Sequence, residues 1–99
     1  MRLSDRHRQL LKDHITSALG PGCEVLLFGS WLDDAARGGD VDLLVRTPRP
    51  VDRKAWLAAS LAARAERLLD GRRVDIVLLD PDTPLEPIHE SALAQGVAL

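Results

Sequence analysis

Ninety-nine residues, 45% of them apolar, suffice for one small core and are too apolar for a disordered chain. The formal net charge of −2 gives no basic field for direct, indiscriminate nucleic-acid binding. Cys23 has no second cysteine to pair with, which points to a reducing, cytoplasmic setting, and no apolar run reaches the ~20 residues of a membrane span. Met1 is followed by no apolar signal-peptide region. A single domain over 1–99 is expected.

Ser4 or Asp5 caps a first helix, in which Leu10, Leu11, Ile15, Ala18 and Leu19 recur at helical spacing before Gly20-Pro21-Gly22 ends it. His7 and His14 lie on that helix as surface or partly packed residues, and no ligand cluster completes a metal site around them. The run 25–28 is continuously apolar, as in a strand covered on both faces. Gly29-Ser30 turns the chain, 31–36 is a short helix or turn, and Gly38-Gly39 breaks it. A second apolar strand covers 41–45. Pro48 and Pro50 mark a loop, and the basic residues between Arg46 and Lys54, like Arg72-Arg73, read as solvated surface. Asp52 caps a long helix with Trp56, Leu57, Leu61, Ala65, Leu68 and Leu69 on its apolar side. Gly71 stops it, and 74–79 is a third strand. After a turn at 80–84, Leu85, Ile88, Ala92 and Leu93 mark a last helix ended by Gly96. Residues 97–99 are an edge strand or a tail. The order α-β-(α)-β-α-β-α predicts a three-stranded core sheet with helices packed on it.

Side chains alternate faces along a strand, so Asp40 and Asp42 point the same way while Val41 and Leu43 point the other. Two carboxylates on one face repel unless they share a proton or hold a cation. At the head of a central strand a divalent cation is the better answer, and Mg²⁺ favours carboxylates, phosphates and water. Asp75 stands near the start of an otherwise apolar strand. If that strand neighbours 41–45, Asp75 adds a third acid, enough to hold two metals or to take a proton from an attacking hydroxyl. Glycine at position 29 lets the backbone approach a ligand, and Ser30 at the head of a short helix offers a hydroxyl and free N–H groups to an anion. The set suits phosphoryl or nucleotidyl transfer, where catalysis is positioning and charge neutralisation. Taken singly, Ser30 is an ordinary N-cap, Asp40 and Asp42 are loop acids, and Asp75 is a partner for Arg72 or Arg73. Asp33, Asp34, Asp80 and Asp82 read as caps, turns and surface, Arg37 as a turn arginine and His89 as a helix-surface residue.

Phe28-Gly29-Ser30, then Asp40-Val41-Asp42-Leu43-Leu44-Val45, then a later strand with Asp75, resembles the minimal nucleotidyltransferases of the DNA polymerase β superfamily, over essentially the whole chain. The resemblance implies an α+β (α/β) fold with a nucleotidyltransferase-like core, a small mixed β-sheet with helices packed on it. It implies a pair of Mg²⁺ ions on Asp40, Asp42 and Asp75, and ATP with its phosphate held at Gly29 and Ser30. Small members are often antitoxins that transfer AMP to a tyrosine hydroxyl of a helical HEPN-type toxin, so the resemblance also implies such a partner. Many relatives carry Arg directly after Gly-Ser and an Ala-Arg-Gly soon after; here Trp31 stands in the first place and Ala36-Arg37-Gly38 comes late.

A domain this small offers little pocket wall for base and acceptor, so a partner is expected to complete the site. The alternative function is a non-catalytic antitoxin that neutralises its partner by occlusion. A small-molecule transferase is weaker, for want of a second domain to hold the substrate.

Overall fold

The computed structural model describes residues 3–29 and 40–99. Helix α1 spans Asp5–Leu19. Its N-cap is Ser4, whose hydroxyl accepts the His7 N–H at 3.1 Å. Leu11 and Ile15, one turn apart, are its buried residues. Gly20 ends it with φ +86°, and a side chain there would run into the Arg49 guanidinium. Arg49 donates to the carbonyls of Leu19 and Pro21 at 2.8 and 2.9 Å. It therefore fastens the open end of α1 instead of serving as solvated surface.

Strands β1 (Glu24–Phe28) and β2 (Val41–Arg46) pair antiparallel. Helix α2 (Lys54–Leu68) then carries the chain across to β3 (Val74–Leu79), parallel to β2. Helix α3 (Pro87–Gln95) leads into β4 (Val97–Ala98), which adds antiparallel to β1. The sheet order is β3-β2-β1-β4. The residues after Gly96 are thus a fourth, edge strand, held also by the Leu99 N–H on the Val25 carbonyl at 3.0 Å.

One sheet face bears Val25, Val41, Leu43, Val45, Val74 and Leu78, packed with Leu11 and Ile15 of α1 and Leu61 and Ala65 of α2. The other bears Leu26, Leu44 and Leu79, packed with Ala92 and Leu93 of α3. Helices on both sides explain the continuous apolar run Leu43-Leu44-Val45 of β2, in which alternate residues enter different cores.

Four expectations need correction. Asp52 does not cap α2: the N-cap is Arg53 in the left-handed region, φ 55°, with no side-chain capping bond. Trp56 is not on the buried stripe but 59% exposed, beneath the Arg53 guanidinium at 5.0 Å. With about 100° per residue, the stripe set by Leu57, Leu61 and Ala65 turns position 56 outward. His89 is buried, and its Nδ1 accepts the Glu86 N–H at 3.0 Å at the head of α3. Asp80, assigned to the surface, is buried. Its carboxylate accepts from the Val51 N–H, Lys54 Nζ and the Thr83 hydroxyl at 2.8, 3.0 and 2.6 Å. These donors hold the carboxyl well below the usual range, the Thr83 bond most, then Val51 and Lys54. Asp80 thereby pins the head of α2 to the end of β3.

Candidate functional site

The strand registers bring the acids together. Asp42 of β2 stands opposite Asp75 of β3 and opposite Phe28 of β1, so the three share one row and one face. This is the face that α3 covers, through Leu26, Leu44 and Leu79. Asp40 precedes β2 by one residue and lies two before Asp42, on the same side. The Val41 N–H donates to the Arg73 carbonyl at 2.9 Å, which locks the heads of β2 and β3 side by side. Asp42 is half-buried and Asp75 exposed.

The electrostatics follow from this placement. Burial pushes the Asp42 carboxyl up, and the like charges of Asp75 and then Asp40 push it further. Arg73 offsets part of the strip: its Nε lies 3.7 Å from an Asp40 oxygen. Arg73 thus engages Asp40, where the sequence had offered Asp75 as its partner.

Gly29 follows β1 with φ +80°. An ideal Cβ there would collide with Asp42 Oδ2 and lie 3.3 Å from its Cγ. Glycine is needed at this position for two reasons: the backbone is left-handed, and the Asp42 carboxylate occupies the space a side chain would fill. Sequence reasoning placed Gly29 at a phosphate turn and missed its contact with the acid. Ser30, the other expected phosphate contact, lies outside the described residues, as do Trp31 and Arg37. The missed residue at the strip is Arg73. Its signal was present, since a residue two before Asp75 shares that side of the chain.

Among the described residues no three His, Cys, Asp or Glu side chains already converge as a closed metal cage. The acids line a strip, as like charges do, with Asp40 turned to Arg73. Their chemistry nevertheless fits a hard divalent cation: oxygen donors only, with a half-buried carboxylate flanked by two more. Asp40, Asp42 and Asp75 could hold such an ion together with phosphate oxygens and water.

A cavity of about 410 Å³ lies at the other end of β2 and β3, lined by Arg46, Thr47, Leu79, Asp80, Leu85 and Leu93 among others. Its charged groups are already satisfied. Arg46 pairs with Glu24 at 2.7 Å, and Asp80 is saturated by its donors.

A mixed sheet with helices on both faces, which gathers carboxylates at one end of a face behind a glycine turn fitted to one of them, defines an α+β domain. The nucleotidyltransferase domain family matches residues 8–97, and the chain belongs to that family. No curated protein matches the chain in sequence. Several solved structures share its fold. One is a complex of a tri-AMPylated HEPN toxin with an MNT antitoxin from Shewanella oneidensis, with TM-score 0.57 and 22% identity over 92% of this chain and 70% of that one. A toxin–antitoxin structure with AMP-PNP gives TM-score 0.64 and 20% identity over 96% of this chain and 72% of that one. A mutant of the toxin–antitoxin pair MntA-HpeT gives TM-score 0.64 and 19% identity over 93% and 70%. At these identities the likeness is one of fold. No described helix is long and apolar enough to cross a membrane.

Proposed function

We propose that the chain, as one domain over residues 1–99, is a cytoplasmic Mg²⁺-dependent nucleotidyltransferase that moves AMP from ATP to a tyrosine hydroxyl of a HEPN-type toxin, and so acts as its antitoxin. Membership of the nucleotidyltransferase family supports the reaction class. The AMPylated toxin and the AMP-PNP complex among the similar structures support a HEPN toxin as the acceptor protein and an adenine nucleotide as the donor. The observation that carries the reading is the strand register, which sets Asp42 opposite Asp75 with Asp40 two residues before it.

Asp40, Asp42 and Asp75 would hold a pair of Mg²⁺ ions, which supply charge neutralisation at the phosphates when bound. Gly29 and Ser30 would face the phosphate. Asp75, the exposed acid, would accept the proton of the tyrosine hydroxyl. The hydroxyl oxygen bonds to the α-phosphorus, the bond from that phosphorus to the β-phosphate oxygen breaks, and pyrophosphate leaves. Asp75 is exposed and Asp42 half-buried, so the toxin itself could reach the acids and would form part of the roof.

Incubation with labelled ATP, Mg²⁺ and the partner toxin tests this. Label should appear on the toxin with wild type and be lost with Asp40→Ala or Asp42→Ala. Absence of label with wild type would overturn the reading. The second reading is occlusion without turnover, favoured by the exposed apolar side chains of Leu85, just before α3, and Ile88, on it, which suit a protein contact. Neutralisation that survives Asp42→Asn with the toxin unmodified would select it.

A further inference from the structure

We infer that Arg73 is a nucleotide-binding residue that changes partner, from Asp40 in the metal-free protein to a phosphate oxygen once the acid strip holds metal. The inference rests on the proposed nucleotidyl-transfer site and deepens it.

Three features of Arg73 carry it. Its backbone is fixed, because its carbonyl accepts the Val41 N–H at 2.9 Å beside the head of β2. Its side chain is not fixed, being 74% exposed with its Nε 3.7 Å from Asp40, a loose ion pair and not a close bidentate one. It lies two residues before Asp75, on the strip's own side of the chain. A guanidinium anchored at the base and free at the tip can swing without unpacking anything.

The charges then dictate the swing. In the metal-free strip Arg73 answers the Asp40 carboxylate. A divalent cation held by Asp40 and Asp42 would offset that carboxylate's charge and would repel the nearby guanidinium. A nucleotide whose phosphates reach from the Gly29 turn across the acids would offer an oxygen to Arg73 on the far side of Asp42. The planar fork of arginine suits a phosphate better than a single carboxylate oxygen at 3.7 Å. Arg73 therefore opposes metal binding by itself and favours metal together with nucleotide. That couples the two ligands.

Calorimetric titration of wild type, Arg73→Ala and Arg73→Lys tests this, with Mn²⁺ alone and with AMP-PNP in saturating Mg²⁺. Arg73→Ala should bind Mn²⁺ about threefold more tightly, since a competing cation is gone, and AMP-PNP about tenfold more weakly. Arg73→Lys should recover part of the nucleotide affinity. A purely structural role would weaken both ligands together and would overturn the inference. Unchanged AMP-PNP affinity in Arg73→Ala, with wild type binding normally, would also overturn it while leaving the site reading intact. Wild type that binds neither Mn²⁺ nor AMP-PNP would overturn both.

Discussion

At residue scale, two positions carry opposed electrostatic consequences. Asp42 has its carboxyl raised, so its ionised form costs the folded state free energy at neutral pH. That cost disappears as pH falls from above the raised value to below the ordinary carboxylate value. Asp42→Asn should therefore raise the melting temperature of the metal-free protein at pH 7 and abolish the stabilisation that Mg²⁺ gives wild type. Differential scanning calorimetry with and without Mg²⁺ reads both effects. Asp80 has its carboxyl lowered, so its contribution is complete above the unfolded value of about 3.9 and is lost as pH falls toward the depressed one. Asp80→Asn should lower the melting temperature at pH 7 and flatten its decline between about pH 4 and pH 2. A third residue, Gly29, is tied to the first. Gly29→Ala forces a left-handed alanine against Asp42 and should cost roughly 1–2 kcal/mol while displacing the carboxylate. Denaturant titration gives the stability change, and Mn²⁺ titration should show weakened metal binding.

At element scale, the periodicities announced most of the fold, and the exceptions have physical causes. The apolar runs of β1, β2 and β3 and the breaks at Gly20, Gly71 and Gly96 were legible because burial and backbone freedom leave direct marks on composition. Trp56 was misplaced because the spacing of α2 admits it to the edge of the stripe, while the core takes Leu57, Ala58, Leu61 and Ala65. Trp56→Ala should then cost less than ~1 kcal/mol in denaturant titration, against the ~3–5 expected of a buried tryptophan. Arg49, Asp80 and His89 were read as surface because their partners are backbone groups far along the chain or hidden within a turn. A polar residue saturated by carbonyls or N–H groups leaves no pattern of its own in sequence. The acid strip was half legible: alternation aligned Asp40 with Asp42, but only the parallel register of β2 and β3 sets Asp75 opposite them.

At the scale of the whole molecule, one sheet divides two tasks. The face under α1 and α2 is closed by a continuous core, while the face under α3 is apolar at one end and acidic at the other. On the proposed reading such a face would be the floor of a metal and phosphate site, with the partner toxin supplying wall for base and acceptor. A helical toxin whose tyrosine enters that space would be substrate and roof together. The intact mass of the toxin after incubation with ATP, Mg²⁺ and this protein tests that claim most directly. The account predicts added AMP groups with wild type and none with Asp42→Asn, and toxin activity that persists only with the variant. An unmodified toxin silenced equally by both proteins would contradict it.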